Sequence, residues 1–510
     1  MAKSIMIQGT MSNAGKSIFA AALCRILKQD GYKVAPFKSQ NMALNSYVTD
    51  CGLEMGRAQV MQAEAAGVVP EAAMNPILLK PTTDVGSQVI VNGKVMGNMK
   101  ATEYFQHKKE LIPVVLSAYE KLDKEYDIIV IEGAGSPAEL NLKQDDIVNM
   151  GLAKMVDAPV ILIGDIDRGG IFAQLIGTVK LLEEDERERI KGLVVNKFRG
   201  DRKLFDDGVQ ILEEKSGKKV VGVVPYMNVD IEDEDSLSSK LENDETEMID
   251  IAVIRLPKIS NYTDFDVFRQ YTGVSVRYVS DVSKLKTPDM IIIPGTKNTI
   301  ADCIWMRESG LEAAVKQCVS RNIPVFGICG GYQILGMTIE DNQHLEGDSV
   351  QKIRGMELLP IRTVFEEEKR QTKVRGQFKK VEGIFLELAG KEIDGYEIHM
   401  GRSISEKEEM IEICEVLSNS QYGVRDTGIV AGIDGCNVGN VYGSYVHGIF
   451  DNEKISETIV RKLYEKKGCE FDGKSVSREE YKEQQYEKLA EIVRGNIDME
   501  YIYGIIFGKD

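Results

Sequence analysis

The fold of the first part of this 510-residue chain is indicated by the segment SIMIQGTMSNAGKSIFAAALCRIL (4–27). An apolar run, SIMIQGT (4–10), leads into a glycine loop, GTMSNAGKS (9–17), and then into a helical pattern (17–29). A strand, a glycine loop and a helix N-terminus in that order offer backbone N–H groups and a positive dipole end to a phosphate. The order predicts a variant P-loop, one residue longer than the standard G-x-x-x-x-G-K-[ST] spacing.

The residue types of this loop suit a nucleoside triphosphate. Lys16 would reach the β- and γ-phosphates, and the Ser17 hydroxyl would ligate Mg²⁺. Asn196, which ends a later apolar run, is a candidate for contact with a purine base. A glycine turn that merely precedes Lys-Ser is the alternative, but it would not require a strand before it and a helix after it. The predicted nucleotide-binding residues are Gly9, Thr10, Asn13, Gly15, Lys16, Ser17 and Asn196.

Acidic side chains must hold Mg²⁺ beside a P-loop, and open α/β sheets place their ligands at the carboxyl ends of strands. Glu132 follows the run IIVI and precedes Gly-Ala-Gly, and Asp165 ends ILIGD with Asp167 as its rival. Asp50, after the Asn- and Ser-rich segment 39–49, is a further candidate. Asp165 and Asp167 would serve equally well as helix or turn caps. The predicted metal ligands are Ser17, Asp50, Glu132 and Asp165.

Short apolar runs alternate with helical stretches through the first part of the chain. The runs are nearly continuous and rich in β-branched residues, as in parallel strands covered on both faces. They lie at 4–10, 33–37, 127–135, 158–167, 192–198 and 220–226, with helices expected at 17–29, 102–122 and 203–216. The fold class is therefore α/β, with a doubly wound parallel sheet.

The chain divides near its middle, where an acidic segment poor in large apolar residues is typical of a linker. A second α/β series follows, with apolar runs at 250–257, 274–279, 289–296 and 323–331. The predicted organisation is a nucleotide-binding domain at 1–235, a linker at 236–249, a second domain at 250–452 and a helical tail at 453–510.

A cysteine of the second series, Cys329 in PVFGICGGYQILG (324–336), lies between a β-branched run and a helical pattern. The glycines around it permit a tight turn that exposes the sulfur, and a helix N-terminus favours the thiolate. The predicted oxyanion donors are the backbone N–H groups of Gly330 and of Gly295, which lies in the loop PGTKNT. A lone cysteine is more often a small buried hydrophobe, but three neighbouring glycines favour a nucleophile.

A thiolate needs a base, and the chain has 4 histidines. His447 in GSYVHGIF is the predicted base, and His399 in DGYEIHMG is the alternative. A Cys-His pair alone also suits a thiol protease. The P-loop in the same chain favours a nitrogen-transfer enzyme instead, in which one site releases ammonia from glutamine and the other activates a carboxylate with ATP.

Composition limits the partners and the compartment. A formal net charge of −17 argues against nucleic-acid and anionic-membrane partners. The N-terminus lacks the layout of a signal peptide, no apolar run is long enough to cross a bilayer, and the 8 cysteines form no CxxC pair. We therefore expect a cytoplasmic protein without disulfide bonds. An anionic substrate would need local positive potential, for which Lys38, Lys80 and Lys94 are candidates.

Over nearly its whole length the chain resembles the cobyric acid synthases, a family of cobalamin-pathway amidotransferases. KSQNMALNS (38–46) and RLPKISNYTDFD (255–266) are the most particular to that family. The P-loop and GICGG are shared with relatives such as dethiobiotin synthetase and the class I glutaminases. Matching segments also include IEGAGSPAE (131–139), GDIDRGGIFA (164–173), NKFRGD (196–201), GVVPY (222–226), GYEIHMG (395–401) and YVHGIFD (445–451).

The resemblance implies amidation of the b, d, e and g carboxylates of adenosylcobyrinic acid a,c-diamide, with ATP, Mg²⁺ and glutamine. On this chain Cys329 would be the nucleophile and His447 the general base. Class I amidotransferases usually carry Glu two residues after that histidine, whereas here the residue is Ile449. We therefore expect another group, such as a backbone carbonyl, to orient His447.

Three alternatives share part of these motifs. Cobyrinic acid a,c-diamide synthase performs the same two chemistries on other carboxylates. An enzyme that amidates a cell-wall precursor has the same architecture, usually split between two chains. A regulatory P-loop ATPase with a degenerate glutaminase module is the non-enzyme alternative. The oligomeric state stays open, with a homodimer as one option.

Overall fold

Two α/β units follow one another along the chain, which confirms the predicted fold class. The computed structural model describes residues 1–81, 86–143, 146–227, 229–231, 246–346, 352–405, 410–416, 431–473 and 477–508. We call residues 1–231 the first half and residues 246–466 the second half. Most of the acidic segment predicted as a linker, 236–249, lies outside the described residues.

A parallel sheet forms the centre of the first half. The strands of this half are β1 (Lys3–Gly9), β2 (Val34–Phe37), β3 (Gln40–Met42), β4 (Ser46–Val48), β5 (Glu54–Gly56), β6 (Ile77–Pro81), β7 (Gly86–Val91), β8 (Lys94–Lys100), β9 (Ile128–Glu132), β10 (Val160–Asp165), β11 (Ile190–Phe198) and β12 (Val220–Pro225). Six of them pair in the order β12-β11-β10-β1-β9-β2, all parallel. Strands β9 and β10 are buried along their whole length, since both faces of the sheet are covered.

Helices cover that sheet on its two faces. They are α1 (Lys16–Gln29), α2 (Arg57–Ala66), α3 (Ala101–His107), α4 (Ile112–Glu125), α5 (Met150–Met155), α6 (Ile171–Leu181), α7 (Glu184–Arg189) and α8 (Asp206–Ser216). The parallel order brings the carboxyl ends of β1, β9, β10 and β11 to one edge. The P-loop, Glu132, Asp165 and Asn196 therefore share that edge, because each lies at or just after a strand end.

A smaller sheet, which the sequence patterns did not predict, projects from the first half. Its strands pair in the order β3-β6-β7-β8, and β4 pairs with β5 beside it. Several of these strands have only three residues and carry polar side chains, so they lack the apolar runs that mark the central strands.

The second half repeats the α/β plan. Its strands are β13 (Ile249–Ile254), β14 (Ile259–Ser260), β15 (Val274–Val279), β16 (Met290–Ile293), β17 (Gly295–Thr296), β18 (Val325–Ile328), β19 (Thr338–Glu340), β20 (Lys352–Arg354), β21 (Ile361–Phe378), β22 (Glu392–Ser405), β23 (Ile411–Val416), β24 (Ala431–Asp434), β25 (Cys436–Val438) and β26 (Val441–Ser444). The core sheet has the order β15-β13-β16-β18-β26-β25, parallel except for β25. Its helices are α9 (Val282–Leu285), α10 (Thr299–Glu308), α11 (Leu311–Ser320) and α12 (Gly330–Leu335), and a 3₁₀ helix spans Tyr262–Gln270.

A long antiparallel pair, β21 and β22, joins the two halves. The side-chain amide of Gln371 on β21 donates to the carbonyl of Gly52 at 2.8 Å and to that of Gly93 at 2.9 Å. On β22 the Tyr396 hydroxyl donates to the Ser46 carbonyl at 3.2 Å. The second half thus docks on the smaller sheet and on the β4–β5 pair of the first half.

The C-terminal helices, α13 (Glu453–Lys466), α14 (Arg478–Arg494) and α15 (Met499–Phe507), pack on different halves. Helix α13 buries Ile459 in the core of the second half. Helices α14 and α15 bury Leu489 and Ile502 in the core that contains α1. The predicted tail is therefore divided between the two cores. None of the described helices has the length and apolar character needed to cross a membrane.

Candidate active sites

The loop before α1 has the backbone geometry of a phosphate cradle. Asn13 and Gly15 have φ of +59° and +96°, in the left-handed region. A Cβ at Gly15 would lie 2.2 Å from Nδ2 of Asn196, so this position requires glycine. Asn196 Nδ2 donates to the carbonyl of Ala14 at 2.9 Å, which ties β11 to the loop. Its Oδ1 is buried and has no hydrogen-bond partner among the described residues.

Lys16 lies across its own loop. Its Nζ donates to the carbonyls of Met11 at 2.9 Å and Gly135 at 3.1 Å. Gly9 lies beneath this side chain, since a Cβ there would be 3.0 Å from Lys16 Nζ. The Thr10 hydroxyl donates to Gln174 at 3.1 Å. The structure thus brings the predicted nucleotide-binding residues together around one loop.

Glu132 is the acidic centre of this site. It is 1% exposed and accepts the Ser17 hydroxyl at 2.7 Å, Lys38 Nζ at 2.9 Å and Gln62 Nε2 at 2.6 Å. A hydroxyl and a buried carboxylate at a P-loop are the hard oxygen donors that Mg²⁺ uses together with substrate phosphates. Ser17 and Glu132 therefore fit a magnesium ion.

The other predicted metal ligands lie in different surroundings. Asp165 is buried and accepts the backbone N–H of Asp167 at 2.9 Å and Lys197 Nζ at 2.9 Å. Lys197 also donates to the carbonyl of Asn13, so Asp165 remains next to the P-loop. Asp50 is not brought to Glu132. It is exposed and faces Lys373 of the second half at 3.5 Å.

The second site is centred on Cys329, between β18 and α12. Its φ of 51° and ψ of −108° place a non-glycine residue in a strained turn, as at a nucleophile elbow. A Cβ at Gly331 would lie 1.9 Å from the carbonyl oxygen of Ile293, and one at Gly330 would lie 2.9 Å from the backbone nitrogen of Thr296. The glycines are thus required by the close approach of β16 and β17 to the turn.

His447 is the histidine that partners this cysteine. Its Nδ1 lies 2.7 Å from Oδ2 of Asp264, and its ring also hydrogen-bonds the Cys329 side chain. Burial lowers the pKa of His447, but the neighbouring Asp264 carboxylate and Cys329 outweigh burial and raise that pKa to about 10. A protonated imidazole beside the sulfur is suited to donate a proton to a group that leaves from a covalent intermediate on Cys329.

Asp264 was not predicted as a functional residue, and the expectation that a backbone carbonyl orients His447 is wrong. The carboxylate comes from the 3₁₀ helix Tyr262–Gln270, which no sequence spacing connects to the histidine. The available signal was the segment RLPKISNYTDFD (255–266), which contains Asp264. Gly295 also lies at this site, since a Cβ there would be 3.2 Å from His447 Cε1.

His399, the alternative base, has a different environment. Its Nδ1 lies 2.7 Å from the carbonyl oxygen of Gly401, and its ring stacks on Tyr445 with centroids 3.8 Å apart. Burial lowers the pKa of His399 to about 3, so the ring is neutral. It lines the pocket of Cys329 without a carboxylate partner of its own among the described residues.

The Cys329 pocket is a cleft of about 670 Å³ between the two halves. The second half supplies the nucleophile turn, Lys297, Glu346 and both histidines. The first half supplies Lys80, Gln88 and Asn98 from its smaller sheet. Of the lysines predicted to give local positive potential, Lys80 thus lies here, Lys38 binds Glu132, and Lys94 is exposed.

Comparison with known proteins identifies both halves. Residues 5–238 match the CobQ/CobB/MinD/ParA nucleotide binding domain, and residues 250–455 match the CobB/CobQ-like glutamine amidotransferase domain. A solved structure named as a glutamine amidotransferase covers 43% of this chain and 99% of its own, at 16% identity and a TM-score of 0.28, and we draw nothing from so low a score.

Curated relatives match the chain from end to end. The cobyric acid synthase of Lachnoclostridium phytofermentans is 57% identical over 99% of this chain and 99% of its own. That of Ruminiclostridium cellulolyticum is 55% identical over 99% of this chain and 97% of its own. That of Alkaliphilus metalliredigens is 51% identical over 99% of this chain and 100% of its own.

Proposed function

Because this chain belongs to the cobyric acid synthase family, we propose that it amidates the b, d, e and g carboxylates of adenosylcobyrinic acid a,c-diamide. The enzyme is a glutamine-hydrolysing ligase of cobalamin biosynthesis, with a nucleotide-binding domain and a glutaminase domain in one chain. The observation that carries the proposal is a buried Cys329–His447–Asp264 arrangement in the same chain as a P-loop with a Ser17–Glu132 pair.

At the P-loop, the terminal phosphoryl group of ATP is transferred to a carboxylate of the corrin ring. The carboxylate oxygen attacks phosphorus, the bond to ADP breaks, and an acyl phosphate forms. Lys16 would stabilise negative charge on the transferred group. Ser17 and Glu132 would hold Mg²⁺, which neutralises the same charge when it is bound.

At the second site, the Cys329 thiolate attacks the side-chain amide carbon of glutamine. The carbon–nitrogen bond breaks, and the proton on His447 passes to the departing nitrogen, so that ammonia and a thioester form. Neutral His447 then takes a proton from water, which attacks the thioester and releases glutamate. Asp264 is a positioning residue, because it acts on the reacting atoms through its hydrogen bond to His447. The N–H groups of Gly295 and Gly330 are the proposed oxyanion donors.

Ammonia joins the two reactions. It attacks the acyl carbon of the acyl phosphate, and inorganic phosphate leaves as the amide forms. Because ammonia released into water at neutral pH becomes ammonium, the second site must deliver it directly. A glutaminase pocket walled in part by Lys80 and Gln88 of the first half supports such a path.

The domain boundaries are part of the proposal. The synthetase domain comprises residues 1–235, and the glutaminase domain comprises 250–452 after an acidic linker at 236–249. The packing of α14 and α15 on α1 supports adding these two helices, which belong to the predicted tail at 453–510, to residues 1–235 in the synthetase domain. A cytoplasmic location, where ATP and glutamine are supplied, also belongs to the proposal.

A mass-spectrometric time course with adenosylcobyrinic acid a,c-diamide, MgATP and glutamine tests this function. We expect successive amidated species that end at the tetra-amidated product. No change in this corrinoid, together with ATP-dependent amidation of another carboxylate, would retain the two-site chemistry and reject the substrate. Cobyrinic acid as the preferred substrate, amidated only at a and c, would favour the related diamide synthase.

A further inference from the structure

Three lysines gather where the two halves meet at the Cys329 pocket. Lys80 of the first half and Lys369 of the second half both bind Glu54, at 2.9 Å and 2.7 Å. Gln88 Oε1 accepts Lys369 Nζ at 3.1 Å and Lys297 Nζ at 3.3 Å. These three lysines line the pocket together with Cys329.

The charges in this group do not balance. Glu54 is fully buried and shared by Lys80 and Lys369. Among the described residues, no carboxylate oxygen lies within ion-pairing distance of Lys297 Nζ. Glu54 supplies one negative charge to the two lysines that it binds. Burial, with Lys369 and Lys80 nearby, lowers the pKa of Lys297 to about 7. An anion bound here would compensate this repulsion and desolvation.

The pocket carries the opposite charge elsewhere in its lining. Glu346 accepts the Thr299 hydroxyl at 3.0 Å and the Ile300 N–H at 3.0 Å, and it also lines the Cys329 pocket. Burial raises the pKa of Glu346 to about 7. A pocket with a lysine group, a buried carboxylate and a nucleophilic cysteine complements a zwitterionic amino acid with a reactive side chain.

We propose that Lys297, supported by Lys369, Lys80 and Gln88, forms the subsite for the α-carboxylate of glutamine. The proposal rests on the assignment of Cys329 as the glutaminase nucleophile. Lys297 directly follows β17 (Gly295–Thr296), so it lies two residues beyond Gly295, a proposed oxyanion donor. A carboxylate held at Lys297 would fix the amino-acid end of glutamine while its amide lies at Cys329.

A consequence is that the synthetase half completes the glutamine site. Lys80 and Gln88 belong to β6 and β7, and Glu54 to β5, all in the first half. Gln88 contacts both Lys297 and Lys369, so the position of the smaller sheet decides how these two cations are held. Glutamine binding is thereby tied to the docking of the two halves.

The test removes the two charges of the proposed contact, one at a time: the positive charge of Lys297 and the negative charge of the α-carboxylate of glutamine. Full-length Lys297→Met is assayed for glutamine-dependent product formation with L-glutamine and with L-glutaminamide, whose α-carboxylate is replaced by an amide. The natural enzyme should prefer glutamine in kcat/KM by a factor of about 10 to 100, as expected for a hydrogen-bonded charge. In Lys297→Met this preference should fall to near one, and the KM for glutamine should rise by a similar factor.

Controls separate this role from a structural one. Rates are divided by ammonia-dependent synthesis, which reports the amount of folded synthetase. Lys316→Met, on α11, removes a lysine that pairs with Glu312 outside the pocket, and it should keep the preference. Lys297→Arg keeps the charge and should retain more of the preference than Lys297→Met, and this comparison decides the test if the Met variant folds poorly.

Two results would overturn the proposal. One is a Lys297→Met enzyme that still discriminates against L-glutaminamide as the natural enzyme does. The other is a rise in the KM of the corrinoid instead of glutamine, which would assign the lysines to a substrate carboxylate. Failure of the Cys329 assignment on which this proposal rests is distinguishable, since Cys329→Ser would then still use glutamine, whatever the Lys297 variants do. Failure of the corrinoid assignment appears in the mass-spectrometric time course and leaves the glutamine preference unchanged.

Discussion

At the scale of single residues, the hydrogen bond between His447 and Asp264 fixes the orientation and the charge of the imidazole that lies beside Cys329. The carboxylate holds the imidazole by Nδ1, which leaves Nε2 for the sulfur. Because Asp264 stabilises the imidazolium, it raises the pKa of His447 and keeps a proton available for the departing ammonia. Asp264 takes the place of the carboxylate that other class I enzymes carry two residues after the histidine.

Asp264→Asn should therefore change both rate and pH dependence. Loss of the negative charge lowers the pKa of His447, so the imidazolium is lost at lower pH and the alkaline limb of glutamine-dependent kcat/KM shifts downward. The rate should fall by a factor of about 10² to 10⁴, the usual contribution of general acid–base catalysis. Asp266→Asn in the same 3₁₀ helix is the control. An unshifted alkaline limb in Asp264→Asn would contradict the assigned role.

Cys329 and Lys16 separate the two chemistries. Cys329→Ala should abolish glutamine-dependent synthesis and leave ammonia-dependent synthesis, because only the nitrogen source is lost. Lys16→Ala should remove synthesis from both nitrogen sources, since the acyl phosphate no longer forms. The two activities of each variant are measured as product formation with glutamine and with ammonium chloride. If Cys329→Ala lost the two activities together, the division into two sites would be wrong.

At the scale of elements, the turn between β18 and α12 exists because β16 and β17 pass close beneath it. A Cβ at Gly331 would lie 1.9 Å from the Ile293 carbonyl oxygen, which is backbone and cannot move away as a side chain could. Small residues at this turn are thus a packing requirement as well as a means of exposing sulfur.

Gly331→Ala should accordingly destabilise the second half by about 1–3 kcal/mol, the usual cost of overpacking. It should also displace Cys329 and reduce glutamine-dependent synthesis. Gly177→Ala in α6 is a matched control, since a Cβ there meets nothing within 4 Å. Gly331→Ala and Gly177→Ala are compared by thermal unfolding and by glutamine-dependent and ammonia-dependent synthesis. Equal unfolding temperatures for the two variants would mean that the turn relaxes without cost.

At the scale of the molecule, the last helices return the chain to its beginning. Helices α14 and α15 cover α1 and β12 of the first half, although they follow the second half in sequence. Arg25 on α1 is nearly buried and pairs with Glu487 on α14 at 2.5 Å. The core that contains α1 is therefore complete only when α14 and α15 have packed on it.

Leu489→Ala tests this arrangement. Leu489 is fully buried, so the substitution should destabilise the first half by about 2–5 kcal/mol and lower ammonia-dependent synthesis as the protein is warmed. Leu204→Ala, at a position that is 85% exposed, should change neither the stability of the first half nor ammonia-dependent synthesis. Thermal unfolding followed by both assays distinguishes the outcomes. A loss confined to glutamine-dependent synthesis would assign α14 to the other half.

The two loops of the candidate active sites could be predicted from sequence because each is a local signal. The P-loop and the cysteine turn lie within about a dozen residues, where glycine spacing reports directly on backbone conformation. The strands of both central sheets were equally accessible, since burial on both faces makes their sequences continuously apolar. Short polar strands such as β3, β4 and β5 give no comparable pattern, and the smaller sheet was missed for that reason.

The sequence alone was sufficient for the fold class and, through its motifs, for the family. It also predicted a P-loop and a pairing of Cys329 with His447, and the structure places these two side chains next to each other. Only the tertiary structure decided which carboxylate holds His447, because Asp264 lies 183 residues away in the chain. The fold in three dimensions also placed Lys80 and Lys297, from different halves of the chain, in the lining of one pocket, and it packed the last helices against α1. The physical reason is the same in each case. A contact between distant segments depends on how whole sheets dock, and no residue spacing within either segment encodes that distance.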